Sequence, residues 1–195
     1  LLQKIVAAFI VLALLAVVVP WVYINLIKED APDALSLDPA VTTTVGEAPP
    51  TTNATDGEWA VVADSVVGYR VKEILFGQDT EGVGRTSAVT GSLVIANNEV
   101  TSAEFSVDMT SLKSDSSRRD RQVNDRILDT ATYPTATFAL NDPIALTPEA
   151  LAGSDFTVNT TGTLTLRGVT KDIPVTLVAR LVDNVIEVNG TIKIV

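Results

Sequence analysis

Apolar and polar residues alternate along the chain from Trp59 onward, and a period of two predicts β-strands. The clearest example runs from Ser102 to Met109, where every second residue falls on one apolar face. Asn97-Asn98 and Asp183-Asn184 separate such stretches, and asparagine tolerates the positive φ of tight hairpin turns. Short alternating strands joined by hairpins predict an all-β domain, either an antiparallel barrel or a sandwich.

Other segments set the limits of this pattern. The first strand is predicted over Trp59–Asp64 and the last over Val185–Val195. Residues 74–84 show little periodicity, so we expect a Gly-rich connection there. Leu146–Ser154 contains a helix-start signal and is expected to be a loop or a single helical turn.

A helical insertion is predicted to interrupt the strands between Ser111 and Phe138. The helix should begin near Arg118 and end before Tyr133-Pro134, because proline lacks an N–H, and a strand should restart at Thr135. We expect the insertion to form a lid or plug on the sheet. Its predicted capping residues are Asp115, Ser116 and Ser117, and its predicted apolar stripe is Val123, Ile127 and Leu128.

The N-terminal segment Ile5–Ile27 is a nearly unbroken apolar run. As a helix it would extend about 35 Å, which exceeds the ~30 Å hydrocarbon core and predicts a transmembrane anchor. A cleaved signal peptide is the alternative, but its apolar region would be only ~7–15 residues. Lys4 precedes the run, which predicts a cytoplasmic N-terminus. The Pro- and Thr-rich stretch Lys28–Gly57 is predicted to be a disordered linker, and residues 58–195 the β domain outside the cytoplasm.

Composition excludes several classes of function. The chain has no cysteine and no histidine, which removes disulfides, cysteine nucleophiles, Ser-His-Asp triads and nearly all zinc sites. Its net charge of −10 would repel nucleic-acid phosphates, so we expect no nucleic-acid partner. No EF-hand loop is present, and we expect neither a metal nor a cofactor. The absence of the usual catalytic side chains makes an enzyme the weakest hypothesis.

Two motifs resemble a known family. Arg119-Asp120, Leu128 and Tyr133-Pro134-Thr135-Ala136-Thr137-Phe138 are followed by Gly162-Thr163-Leu164-Thr165-Leu166-Arg167-Gly168-Val169-Thr170-Lys171. In order and spacing these residues are similar to the YceI-like family of lipocalin-like polyisoprenoid-binding proteins. The resemblance implies an antiparallel lipocalin-like barrel, a bacterial envelope location, and a quinone or polyprenyl phosphate tail held in the barrel lumen.

The resemblance has one departure and one further implication. Glu73 stands where the family commonly has a histidine, so no role of that histidine is carried over. Family members usually continue with a closing strand, whereas Val185–Val195 runs to the end of this chain. We therefore expect a truncated chain and an incomplete barrel with a free edge beside Trp59–Asp64 or Val185–Val195.

The apolar face of the strands is the predicted lipid-binding surface. A barrel of about eight strands is either filled by its own side chains or holds one small ligand. Periodicity alone favours a packed core, and the resemblance reverses that preference. The predicted lining residues are Tyr69, Val71, Phe105, Val107, Met109, Leu128, Phe138, Leu164, Leu166, Leu177 and Leu181.

The densest basic cluster lies at the start of the predicted helix and contains Arg118, Arg119 and Arg121. A lipid phosphate head group could bind there, since arginine suits phosphate. The alternative is structural, with Arg119 or Asp120 pinning the helix to neighbouring loops, and we favour it.

These predictions combine into a membrane-tethered, extracytoplasmic binding protein for an isoprenoid lipid. The alternative is a ligand-free envelope interaction module with a packed core. The expected partners are the lipid and, through the N-terminal helix, the cytoplasmic membrane. Formation of a homodimer is left open.

Overall fold

A computed structural model describes residues 2–28, 30–37, 55–182 and 184–194. The chain forms two compact units. The first comprises Leu1–Asp33 and Arg70–Val83, and the second comprises Ala34–Tyr69 and Gly84–Val195. Most of the predicted linker Lys28–Gly57 lies outside the described residues.

The first unit begins with helix α1, Leu2–Val22, which continues as a π-helical turn over Tyr23–Ile27. The helix forms because this stretch has no glycine, and Pro20 is its only helix-breaking residue. The predicted N-terminal helix is therefore present. Among the residues described, however, no helix has both the length and the apolar character needed to cross a bilayer, so a membrane span over Ile5–Ile27 is not confirmed.

A hairpin links the two units in sequence. Its strands are β2, Val67–Leu75, and β3, Gln78–Thr86, and Phe76 and Gly77 both have positive φ at the turn between them. The prediction of an irregular connection over residues 74–84 is therefore wrong. The hairpin was not predicted because its two-residue turn lacks the usual sequence signal. Such turns need positive φ and usually hold asparagine or glycine, whereas this turn begins with phenylalanine.

The second unit contains the main antiparallel sheet. Its strands follow the order β1-β4-β5-β7-β9-β10-β11, with β8 pairing with β5, while β6 pairs with β3 in a smaller sheet. The bounds are β1 Gly57–Ala60, β4 Val89–Ala96, β5 Glu99–Asp108, β6 Lys113–Ser114, β7 Thr135–Leu140, β8 Ile144–Ala145, β9 Phe156–Leu166, β10 Val169–Val182 and β11 Val185–Thr191.

The main sheet is an open half-barrel rather than the closed barrel implied by the resemblance. Strands β1 and β11 lie at opposite edges and do not pair with each other in the described residues, so the sheet has an open edge at each, whereas one or the other was expected. The expected truncation of the chain is not confirmed. β1 ends at Ala60, short of the predicted Asp64, because Val62–Ser65 forms a turn. β11 ends at Thr191, short of the predicted Val195. Continued pairing would bring it to Pro174 of β10, which has no N–H to donate.

Several predicted turns and helices are confirmed. Asn97 and Asn98 have φ of 55° and 62° in the β4–β5 hairpin, and Asn184 has φ of 63° in the β10–β11 hairpin. Its predicted turn partner Asp183 lies outside the described residues. Helix α3 spans Pro148–Leu151, within the segment where one helical turn was expected.

Aromatic rings pack onto glycines where the two family motifs meet. Phe138 lies over Gly162 inside β9, and Tyr133 lies over Gly168 in the β9–β10 turn, so that a Cβ at either glycine would overlap the ring. A side chain there would displace the ring, which explains why glycine occupies both positions. The Phe138–Gly162 contact joins β7 to β9, and the Tyr133–Gly168 contact lies just beyond the ends of these strands.

Candidate functional site

Register defines two faces of the main sheet, because directly opposed residues in antiparallel strands point to the same side. One row across five strands is mostly apolar. It contains Gly91, Phe105, Phe138, Leu164 and Lys171.

Seven of the eleven predicted lining residues share this apolar face, as the strand registers place them. They are Phe105, Val107, Phe138, Leu164, Leu166, Leu177 and Leu181. Val107 is buried, and the other six are half-buried. Among the described residues, no large side chain is fully buried. The apolar face is therefore incompletely covered, which is unlike the interior of a close-packed core.

Four predicted lining residues lie elsewhere. Met109 is in a 3₁₀ turn rather than on strand β5, because Asp108 Oδ1 accepts a hydrogen bond from Thr110 N at 2.9 Å and ends the strand. Val71 belongs to the first unit and is exposed. Tyr69, on β2, places its ring against Gly84. The fourth, Leu128, is half-buried and follows the helical insertion.

The helical insertion consists of helix α2, Ser117–Gln122, followed by a π-helical turn over Val123–Ile127. It begins within one residue of its predicted start. Val123 is buried as expected, but Ile127 is exposed, so the predicted stripe is only partly correct. The α-helix ends at Gln122, and Ile127 lies at the end of the π-helical turn that follows.

Asp120 pins this insertion to the preceding chain. Its Oδ1 accepts hydrogen bonds from Ser114 N at 2.8 Å and Ser114 Oγ at 2.7 Å. Ser116, rather than Asp115, caps the helix, with its Oγ 3.4 Å from Arg119 N. Asp115 instead forms an ion pair with the Arg119 guanidinium. This geometry agrees with the structural interpretation of Arg119 and Asp120.

The remaining basic residues of the insertion are solvent-facing. Arg118 and Arg121 border a shallow surface depression together with Gln122, Asp125 and Arg126. Binding of a head group at Arg118 stays a prediction.

One residue of the apolar face was not singled out from the sequence. Lys171 is opposite Leu164 in the register, so it shares a face with Phe105 and Phe138. It is exposed. Strand alternation could have shown this, because Lys171 and Ile173 are two residues apart in β10 and so point to the same face. A charged residue beside a turn is, however, easily assigned to the solvent side.

Within the described residues, no three His, Cys, Asp or Glu side chains come together in a way that could hold a metal ion. The expectation of no metal or cofactor stays a prediction.

Comparison with family models gives one match. The model of the YceI-like domain matches residues 59–195. The chain belongs to the YceI-like domain family. None of the curated proteins compared with it is significantly similar.

Solved structures that are similar to part of this chain come from several bacteria. A polyisoprenoid binding domain from Saccharophagus degradans, implicated in plant cell wall breakdown, has 23% identity and a TM-score of 0.47, covering 63% of this chain and 67% of its own. Burkholderia cenocepacia BcnA has 22% identity and a TM-score of 0.46, covering 55% and 65%. A Campylobacter jejuni YCEI protein has 16% identity and a TM-score of 0.33, covering 76% and 69%. The matched part of BcnA is thus less than two thirds of that chain.

Proposed function

We propose that this YceI-like domain binds the apolar tail of an isoprenoid lipid against the apolar face of its half-barrel. The ligand class is the one that the family motifs imply, and polyisoprenoid is also the ligand for which the Saccharophagus structure is named. The identity of the lipid, whether quinone or polyprenyl phosphate, is part of the proposal.

The observation that carries this proposal is the incomplete burial of the apolar face. Phe105, Phe138 and Leu164 are consecutive members of one cross-strand row, and each remains half-buried. Apolar side chains left partly in water gain about 25 cal/mol for each Å² that a ligand covers. A flexible prenyl chain lying across the row would cover all three, and each buried CH₂ would contribute about 0.8 kcal/mol.

The packed-core alternative requires those side chains to cover one another. Ala103, Val107, Ala136 and Val175 are buried on this face, but the larger side chains around them are not. Protein interiors are close-packed, so an apolar face left partly in water is not expected in a domain that functions without a ligand.

Lys171 is our candidate for the polar end of the ligand. It extends the Phe105 row by one strand beyond Leu164, so a lipid lying along the row would place its head group near the ammonium. Lysine donates hydrogen bonds to phosphate and to carbonyl oxygens alike. Arg118 and Arg121 are the alternative head-group contacts.

Attachment to a membrane through the N-terminal helix is a further part of the proposal. The support is the sequence of α1 and its following turn, whose large apolar side chains from Val11 to Ile27 are mostly exposed. The orientation with the half-barrel outside the cytoplasm follows from Lys4 and stays a prediction.

Lipid extraction tests the ligand. The full chain is purified in a detergent without isoprenoid groups, extracted with organic solvent, and the extract is analysed by mass spectrometry. We expect a stoichiometric isoprenoid from the wild type and from Glu104→Lys, and none from Phe105→Asp. An extract without isoprenoid, from a folded wild-type protein expressed in a bacterium, would contradict the proposal and favour the ligand-free module.

A further inference from the structure

The tip of the β2–β3 hairpin carries two large apolar side chains that the other described residues leave mostly exposed. Ile74 is 74% exposed and Phe76 is 68% exposed. Phe76 occupies a positive-φ turn position, which usually holds glycine or asparagine. An aromatic side chain at this position neither suits the backbone conformation nor packs against the domain. We therefore infer that it contacts something outside the domain.

Contacts inside the first unit give the direction in which this tip points. Asn25 Nδ2 lies 3.5 Å from Gln78 Oε1, next to the hairpin turn. Three residues further on, Lys28 Nζ lies 3.5 Å from the Glu81 carbonyl oxygen and 3.8 Å from Glu73 Oε1, both in the hairpin stem.

The third contact lies further still along both segments. Arg70 donates to the Pro32 carbonyl oxygen and forms an ion pair with Glu81. The end of the helix is therefore next to the hairpin tip, and the coil that follows the helix runs beside the hairpin stem. The tip is thus the part of the hairpin nearest to the helix end, at the level of Asn25.

The helix end beside the tip is also apolar and exposed. Trp21, Tyr23, Leu26 and Ile27 are all exposed there. Trp and Tyr are the residues enriched at membrane–water interfaces, because their rings are amphipathic. Charged residues begin only at Lys28 on the helix side and at Lys72, Glu73 and Asp79 on the hairpin side. The apolar tip and the apolar helix end thus form one surface with a charged collar behind it.

We propose that the β2–β3 hairpin tip is a membrane-contact element that inserts Ile74 and Phe76 into the interfacial layer of a lipid bilayer, beside Trp21 and Tyr23. The depth expected for such apolar insertion is about 5–10 Å into the headgroup and acyl boundary. The ionic contacts of Lys28 and Arg70 hold the hairpin in this orientation. This inference rests on the membrane attachment in the proposed function, and it adds a second contact that the family motifs do not include.

Site-specific labelling tests the contact, because the chain has no cysteine of its own. Single variants Phe76→Cys and Ile74→Cys in the full chain are labelled with the environment-sensitive fluorophore NBD. The matched control is Asn98→Cys, which also lies at a positive-φ position, in the polar β4–β5 turn. Each protein is reconstituted into phosphatidylcholine–phosphatidylglycerol vesicles that contain lipid with a nitroxide near its headgroup, and flotation first confirms attachment.

At positions 74 and 76 we expect blue-shifted emission and several-fold stronger nitroxide quenching than at position 98. Equal, water-like signals at all three positions in floating vesicles would overturn the inference and leave membrane attachment intact. A blue shift without nitroxide quenching would also overturn it, since that result means a protein contact. Failure of the chain to float would overturn both the attachment and this inference, whereas lipid extraction reports separately on the ligand.

Discussion

Two neighbouring rows of the main sheet use the same five strands and differ in the chemistry of most of their side chains. The apolar row contains Gly91, Phe105, Phe138, Leu164 and Lys171, and the row beside it on the opposite face contains Ser92, Glu104, Ala139, Thr163 and Asp172. The polar row satisfies itself locally. Thr163 Oγ1 lies 2.7 Å from Asn141 Oδ1 and 2.6 Å from Asp172 Oδ1.

The side chains of the apolar row do not cover one another in a comparable way. Its large side chains contact one another across the strands but remain half-buried, because the sheet is open and covers only part of its own concave surface. Hydrogen bonds are satisfied pairwise and at the surface, whereas apolar side chains must be enclosed from several sides. The polar face is thus satisfied by its own side chains, whereas the apolar face is the one that the proposed lipid would cover.

The largest effect on stability should come from placing a charged residue on the apolar face, compared with a charge reversal on the polar face. Phe105→Asp removes apolar contacts with Phe138 and places a carboxylate on the apolar face, which we expect to destabilise the protein by about 3 kcal/mol. Glu104→Lys, on the polar face, should change stability by no more than about 0.5 kcal/mol. Thermal unfolding followed by circular dichroism measures both, and equal effects would show that the faces are wrongly assigned.

Gly162→Ala tests the packing at the centre of the apolar face. The new Cβ would overlap the Phe138 ring and lie 2.9 Å from the Ala139 carbonyl oxygen, so neither neighbour can yield without moving backbone or ring. We expect a loss of about 2–3 kcal/mol in the free energy of unfolding. The control is Gly190→Ala on the same face, whose main obstacle is the flexible end of Leu177. A smaller effect at Gly162 than at Gly190 would contradict the aromatic–glycine account.

Arg180 differs from the other residues of the polar face because its charged side chain is buried. It is 6% exposed, and its Nε and Nη2 donate to Glu187 Oε2 at 2.9 Å and 2.7 Å. Arg180→Met should cost about 1.5–2 kcal/mol, because Glu187 loses two charge-assisted hydrogen bonds. Asp155→Asn removes only an exposed partner 3.8 Å away and should be nearly neutral. Urea titration of both variants measures the two losses. Equal losses would mean that the pairing with Glu187 contributes little.

The smallest expected effect is the pH dependence contributed by Asp172. The pKa of its carboxyl group is lowered, mainly by the hydrogen bond from Thr163 and then by that from Asn141. Because the folded-state pKa lies below the unfolded value, this stabilisation is present above about pH 4 and is lost as the pH falls through the folded-state pKa. Thr163→Val should therefore flatten the acid side of the stability curve slightly, and an unchanged profile would show that the hydrogen bond has no thermodynamic weight.

Strand alternation, asparagine turns and the Tyr133-Pro134 stop were enough to predict the β-rich fold, the helical insertion and most of the apolar face. These features depend on neighbours close in sequence. The β2–β3 hairpin was missed because its turn uses Phe76, and the position of Met109 because Asp108 forms a local cap. Whether the barrel closes depends on how β1 and β11 are placed, which local pattern does not encode. The position of Lys171 on the apolar face could be read only from the register between β9 and β10.

Photoaffinity mapping on the sheet tests the central claim most directly. The purified chain is incubated with an isoprenoid that carries a diazirine in its tail, irradiated, digested, and the labelled residues are assigned by mass spectrometry. Since adjacent residues of a strand point to opposite faces, assignment to single residues separates the two rows. We expect labels on Phe105, Phe138 and Leu164, with unlabelled isoprenoid competing them away. Competable labels on Glu104, Ala139 and Thr163 instead would contradict the account.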